Sequence, residues 1–357
     1  MDYMVTWICD PILQPGGIVP PRLLGFLDLY NEGNEAPRPP AAFSLAHPAT
    51  PAAASLSEKH LAPLLARNAA ANLLDGDVPL ASRNGLVLLG RGLDGASRRM
   101  SMCVFDPLTG TLAAFLSAPD IDHGFDGVTH RYVLLTAADG IHIDCSFLVI
   151  AAEFTRRSIK VQTVSSDAAN GAWGAATKVR NPRRGGSTLE RSSTSVVLGG
   201  RIHWLMDESE GMHILTYDVR TAAAGSIELP TGGLPTGTFD GDHIDLASSR
   251  DGRLSLLAAD KLVITVWVLS GGDDGAGWAR RVVIYAEESV RSLVPEMTRT
   301  CFPDTPLANM FSLMLRGEEG LVVLDVETEE MKRVNRKKSD FPYELDLESR
   351  LSAMKAF

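Results

Sequence analysis

Three short stretches of this chain repeat one pattern. FDPLT at 105–109, YDVRT at 217–221 and LDVET at 324–328 each carry an aromatic or aliphatic residue, then Asp, then Thr. The pairs are Asp106/Thr109, Asp218/Thr221 and Asp325/Thr328. Asp is favoured at the first position of a tight turn, where its carboxylate accepts backbone N–H groups, and Thr or Gly past the corner releases the next strand. The expected role of all six residues is therefore structural: hairpin corners between the last strands of a repeated β unit.

The texture around these corners supports that reading. From Pro79 onward the chain alternates short apolar runs with Gly, Asp, Asn and Ser clusters. Strand-like runs lie at 84–92, 131–140, 146–154, 158–166, 195–207, 212–219, 253–260, 262–270, 280–286, 311–317 and 320–326. Most are rich in Val, Ile and Leu and bounded by turn residues. Turn starters recur at Asn84-Gly85, Gly199-Gly200 and Asp251-Gly252, each followed by a strand. GAWGAATKV (171–179) and GAGWARRVVIY (275–285) share a Gly–x–Trp or Gly–Trp opening after a polar loop. Trp173, Trp204, Trp267 and Trp278 are expected in the structural core, as bulky residues that seal each sheet against its neighbour. Strands of this number, with a unit recurring at about 50–60 residues, predict an all-β, β-propeller-like domain of about six blades.

Residues 1–78 read differently. Prolines 37, 39, 40, 48 and 51 break any long helix or central strand, and SEKHLAPLLARNAAANLL (57–74) has helix formers interrupted by Pro63. The expected organisation is an irregular segment with short helices over 1–78, the propeller-like domain over 79–347 and a tail over 348–357.

Charge and cysteine usage exclude several classes. The net charge of −10 argues against general nucleic-acid binding, which needs Lys and Arg to displace counterions from phosphates. Cys9, Cys103, Cys145 and Cys301 are scattered, with no C-x-x-C pair, and predict neither a disulfide framework nor a zinc site. The N-terminus lacks the basic start and apolar run of a signal peptide, and no apolar segment has the length of a membrane helix. The expectation is a cytoplasmic or nuclear protein that engages no membrane.

The succession SRNGLVLL, VFDPLTG, RYVLLTAADG, SIKVQTVSSDAANGAWG, SSTSVVLGGRIHWLMD, ILTYDVRTAAAGSIELP, LASSRDGRLSLLAADKLVITVWVLS and YELDLESRLSAMK resembles the F-box-associated β-propeller proteins of plants, especially the grass group. VPPRLLGFLDL (19–29) is similar to the segment that follows the F-box in such proteins. The resemblance implies a propeller of the kelch or F-box-associated type that binds a protein destined for ubiquitylation. The eighteen residues before Val19 are too short and too Pro/Gly-broken for the helical F-box module. A Skp1-type adaptor is therefore not an expected partner.

Candidate chemistry is sparse. SSRDGRL (248–254) and SSDAANGAW (165–173) are near misses to the structural Asp-box of sialidase-like propellers and read as hairpin turns. PDIDHGFDG (119–127) and FDGDHIDLA (239–247) gather Asp and His without calcium-loop spacing, and read as solvated connections between sheets. In GRIHWLMD, strand alternation sends His203 and Trp204 to opposite faces, with Trp204 in the core and His203 hydrogen-bonded. RNPRRGG (180–186) and KRVNRKK (332–338) are short basic runs that read as solvated ends; the second also fits a nuclear import signal. No nucleophile elbow, H-E-x-x-H or phosphate loop is present. The expectation is a chain without catalytic activity, metal or cofactor, acting as a protein-interaction module. The alternatives are a propeller-type glycoside hydrolase or lyase, or a non-functional truncated paralogue.

Overall fold

The computed structural model describes residues 23–28, 42–45, 63, 77–91, 100–107, 109–121, 129–139, 146–183, 185–190, 195–208, 211–231, 234, 244–249, 252–270, 277–295, 312–317, 320–326, 329, 331–334 and 340–344. They form a succession of antiparallel meanders. The first sheet runs β3 (Asp77–Arg83), β4 (Leu86–Arg91), β5 (Ser101–Asp106) and β6 (Thr111–Leu116). The second runs β7 (Thr129–Thr136), β8 (Phe147–Thr155), β9 (Ser158–Ser165) and β10 (Thr177–Arg180). In the third, β11 (Thr188–Leu189) and β12 (Val196–Leu198) both pair with β13 (Arg201–Glu208), followed by β14 (Gly211–Asp218) and β15 (Ala223–Glu228). The fourth runs β16 (Ile244–Ser248), β17 (Leu254–Asp260), β18 (Val263–Ser270) and β19 (Gly277–Tyr285), and is followed by the short helix α1 (Glu287–Leu293). The fifth holds β20 (Ser312–Gly317), β21 (Gly320–Asp325) and β22 (Met331–Val334). The last sheet joins the two halves of the chain: β23 (Asp340–Glu344) and β2 (Ala42–Leu45) flank β1 (Leu23–Asp28).

The core distinguishes radial stacking from a two-layer sandwich. In β8, Val149 and Ala151 face a cluster shared with the first sheet, while Ile150, Ala152 and Phe154 face one shared with the third. In β13, Ile202, Trp204 and Met206 face the second sheet and Leu205 faces the fourth. In β17, Leu254, Leu256 and Ala258 pack toward the third sheet, whereas Leu257 and Ala259 pack toward the fifth. Alternate side chains of one strand thus enter two separate seams, so each of these sheets is covered on both faces by its neighbours. That is the arrangement of a β-propeller. Burial on both faces also explains why the strands read as continuous apolar runs.

Two differences from the sequence reading concern strand limits. The run at 195–207 is two strands turned by Gly199-Gly200, whose φ angles of 55° and 80° suit a tight hairpin that a side chain would strain. The stretch 239–247, expected to be a solvated connection, ends in β16: Ile244, Asp245, Leu246 and Ala247 are all buried. Its apolar residues enter the seams on either side, which outweighs the local acidity. Within 1–78, strands β1 and β2 pair where an irregular segment is expected, because the register Leu27↔Phe341 and Phe26↔Ser44 brings them beside the final strand. The helical reading at 57–74 falls almost wholly outside the described residues, as do Thr328 and the KRVNRKK run in part.

The sheets alternate in how they close. In the first and third sheets the last hairpin is the Asp–x–x–Thr corner: Asp106 and Asp218 end β5 and β14. In the second and fourth sheets the same position is a longer polar connection that ends near a Trp. Trp173 donates its indole N–H to the Ser117 carbonyl (2.6 Å), just past β6, and Trp278 donates to the Glu228 carbonyl (2.7 Å) at the end of β15. Each even sheet thus clasps the outer strand of the odd sheet before it. Asp325 ends β21 of the fifth sheet, and its partner Thr328 lies outside the described residues.

Candidate functional site

Antiparallel meanders place their connections alternately at two ends of the stack. One end carries the hairpins 84–85, 107–110, 199–200 and 219–222. Asp218 Oδ1 accepts the backbone N–H of Thr221 (2.9 Å) and Arg220 (3.1 Å), and Asp106 Oδ1 accepts that of Thr109 at 3.4 Å. The Thr221 N–H, foremost among these groups, holds the Asp218 carboxyl below its ordinary value. Arg201 Nε adds a contact to Asp218 at 3.2 Å. At the same end Arg83 pairs with Asp139, whose side chain is fully buried and also accepts the Thr136 N–H at 2.8 Å. This ion pair ties the first sheet to the second.

The opposite end carries the sheet-to-sheet crossovers, where β6 ends and β7 begins, β10 ends and β11 begins, and β15 ends and β16 begins. Its best-defined feature is crossover 181–187. Asn181 N–H donates to the Arg157 carbonyl (2.9 Å) and Ser187 N–H to the Arg156 carbonyl (3.1 Å), so the crossover is pinned on the β8–β9 turn. Asn181 Nδ2 donates to Ser187 Oγ at 2.9 Å. Ser187 Oγ lies 3.4 Å from His213 Nε2, and His213 Nδ1 lies 3.7 Å from Glu208 Oε2. Arg183 pairs with Glu228 beside them.

Hydroxyl, imidazole and carboxylate in that order are the parts of an acyl-transfer relay. The surroundings give them another role. Ser187 is 2 % exposed and His213 1 % exposed, which closes the hydroxyl to a substrate. Burial, with the Arg183 charge adding to it, lowers the His213 imidazole to about 4, so it is a weak base near neutrality and forms no ion pair with Glu208 there. What the cluster does is lock the crossover between two sheets. No motif marks it in the sequence, because its members come from a crossover and two strands. The nearest signal is the helix- and strand-breaking RNPRRGGS run.

His203 and Trp204 do point apart. His203 is buried and shares its Nδ1 proton with the Val196 carbonyl (3.1 Å); burial lowers it to about 4. Trp204 sits fully buried between the second and third sheets, edge-on to Phe154 at 5.1 Å, with its N–H on Ser195 Oγ at 2.8 Å. Trp267 is buried in the next seam under the Arg280 guanidinium, 5.9 Å from the ring centre. Trp173 and Trp278 are half-buried at the seam edges rather than in the core. Asp325 ends β21. Of the acidic stretches, Asp120 is held by an N–H bond to Gln162 Oε1 (2.6 Å) and faces Lys160 Nζ at 3.4 Å. Among the described residues no group of three or more His, Cys, Asp or Glu is placed to hold a metal ion. No helix of the described residues is long and apolar enough to cross a membrane.

A family model described as "Domain of unknown function (DUF7595)" matches residues 46–357. The chain belongs to that family. No curated protein matches it. Among solved structures it is similar to a puromycin hydrolase, with 14 % identity and a TM-score of 0.40 over 73 % of this chain and 39 % of that one. This chain therefore spans well under half of the hydrolase. It is also similar to the periplasmic gluconolactonase PpgL of Pseudomonas aeruginosa, at 13 % identity and a TM-score of 0.40 over 88 % and 82 % of the two chains. A prolyl endopeptidase matches at 12 % identity and a TM-score of 0.36 over 72 % and 33 %. The expectation of a chain without catalytic activity is corrected, because the similar structures include a puromycin hydrolase, a gluconolactonase and a prolyl endopeptidase, and fold alone does not separate an enzyme from a binding protein. Neither the family description nor the names of these proteins refer to an F-box or to a plant.

Proposed function

We propose that this propeller is a protein-binding scaffold whose recognition surface is the crossover-bearing end. The observation that supports it is that β6 and β15 both end, and β7 and β16 both begin, at one end of a stack whose second, third and fourth sheets are buried on both faces, so two long crossovers are anchored there. Rigid sheets that hold variable connections in fixed positions present a surface without having to order it on binding. The likeness to F-box-associated propellers suggests the finer reading. The partner would be a protein presented for ubiquitylation, with this chain supplying recognition rather than adaptor docking.

Affinity capture from plant extract, with the intact chain and a version in which 235–243 is replaced by a Gly-Ser linker that leaves Leu229 and Leu234 on the core, tests this. Specific partners recovered by the first and lost by the second, at equal thermal stability, are the expected result. Identical recovery by both places recognition elsewhere and overturns the proposal for this end.

A further inference from the structure

The surface of an acidic chain should carry its cations dispersed among carboxylates. One region breaks that rule. Between 156 and 184 the sequence holds seven Lys and Arg residues against one acid, Asp167, in a chain of net charge −10. The fold gathers them. Arg156 and Arg157 form the exposed β8–β9 turn, and Arg180 and Lys178 are exposed on β10. The register Arg180↔Ser158 sets Arg180 beside that turn, and the bond from Asn181 N–H to the Arg157 carbonyl fixes the two together. Lys178 lies directly opposite Lys160.

Like charges facing each other across a strand pair are destabilising, and Glu153, opposite Lys160 on β8, offsets that pair without reaching the turn at Arg156 and Arg157. Lys160 has Asp120 Oδ2 at 3.4 Å, and Arg183 has Glu228. For Arg156, Arg157, Lys178 and Arg180, no carboxylate among the described residues lies within ion-pair distance. A simpler role for charges on β10 is to guard a sheet edge, since β10 is the last strand of its sheet. That role accounts for Lys178 and Arg180 but not for Arg156 and Arg157, which sit in a turn.

We propose that Arg156, Arg157, Lys178 and Arg180 form a docking surface for an acidic, Asp/Glu-rich segment of a partner protein. This rests on the protein-binding reading and gives it a chemistry. Lys178 and Arg180 are two residues apart on one face of a strand, about 7 Å, which is the repeat of alternate side chains in an extended peptide. Carboxylates at every second position of such a peptide meet them, and the planar Arg156 and Arg157 forks suit carboxylates further along. The spread of the four cations matches a run of single charges better than one compact group.

The test uses the full chain and fluorescence anisotropy with a labelled twelve-residue peptide of alternating Glu and Ser. A Lys/Ser peptide, a peptide with one phosphoserine and no Glu, and a single-stranded oligonucleotide serve as comparisons. The variant R156Q/R157Q/K178Q/R180Q changes exposed positions only, and its thermal melt is measured alongside. Binding of the Glu/Ser peptide that weakens with salt, and that falls about tenfold or more in the variant at unchanged stability, is the expected result. Equal binding by the variant, absence of Glu/Ser binding, or tighter binding of the phosphopeptide or the oligonucleotide overturns the proposal. Capture of the same specific protein by the wild type and the variant leaves the protein-binding reading standing and removes this surface from it.

Discussion

Two buried neutral histidines make this protein sensitive to mild acid. His203 is 6 % and His213 1 % exposed. Burial lowers both from 6.5 to about 4, against the opposing influence of the Val196 carbonyl on one and Glu228 on the other. Arg201 and Arg183 reinforce the lowering. A histidine whose folded value lies below its unfolded one binds more protons when unfolded, so its stabilising contribution is present above about pH 6.5 and is lost as pH falls toward 4. Linkage gives a loss of about 2 kcal/mol per histidine by pH 5 and about 3 kcal/mol by pH 4. Together they remove about 4 kcal/mol by pH 5, a large share of the roughly 5–15 kcal/mol that holds a domain folded.

Urea titrations at pH 7.5 and pH 5 measure the difference directly, and most carboxylates remain ionised across that window. The wild type should lose about 4 kcal/mol over it and each of His203→Gln and His213→Gln about half as much. The substitutions also remove hydrogen bonds and lower stability at both pH values, so the readout is the pH difference and not the absolute stability. If H203Q/H213Q shows the same pH dependence as the wild type, the assignment of the acid response to these two rings is wrong.

The clasps and latches give further expectations. Ala at Gly171 would drive its Cβ into the Phe115 carbonyl from a φ of 61°, whereas Ala at Gly199 meets nothing within 4 Å; melting temperatures should fall clearly more for the first. Trp278→Phe removes one N–H bond to the Glu228 carbonyl and should cost about 1 kcal/mol, but Trp204→Phe also opens a cavity in a fully buried seam and should cost about 3 kcal/mol, both by denaturant unfolding. Arg83→Met strands the buried Asp139 carboxylate and should cost about 3–5 kcal/mol, with much of the loss recovered in R83M/D139L.

Local chemistry explains what could be read in advance. An Asp followed three residues later by Thr can close a turn by itself, because its acceptors and donors lie within four residues; Asp106 and Asp218 needed no distant partner to be understood. The paired turns Asn84-Gly85 and Gly199-Gly200 are legible for the same reason. The opposite orientation of His203 and Trp204 follows from strand geometry alone. The crossover lock was not legible: Asn181, Ser187, Glu208 and His213 converge only because two sheets meet. Strand β16 hid in an acidic stretch because its burial is conferred by neighbouring sheets, not by its own composition.

By itself, then, the sequence determined that this chain is a series of short strands with recurring corners, since turn and strand preferences act over a few residues. Tertiary structure decided the rest. Packing both faces of the second, third and fourth sheets against neighbours made the stack radial, and pairing β1 with β23 joined the two ends of the chain. It also set tight corners against Trp clasps in alternate sheets and drew unpaired cations from a turn and an edge strand into one surface. Those features depend on contacts between residues far apart in the chain, where local preference carries no information.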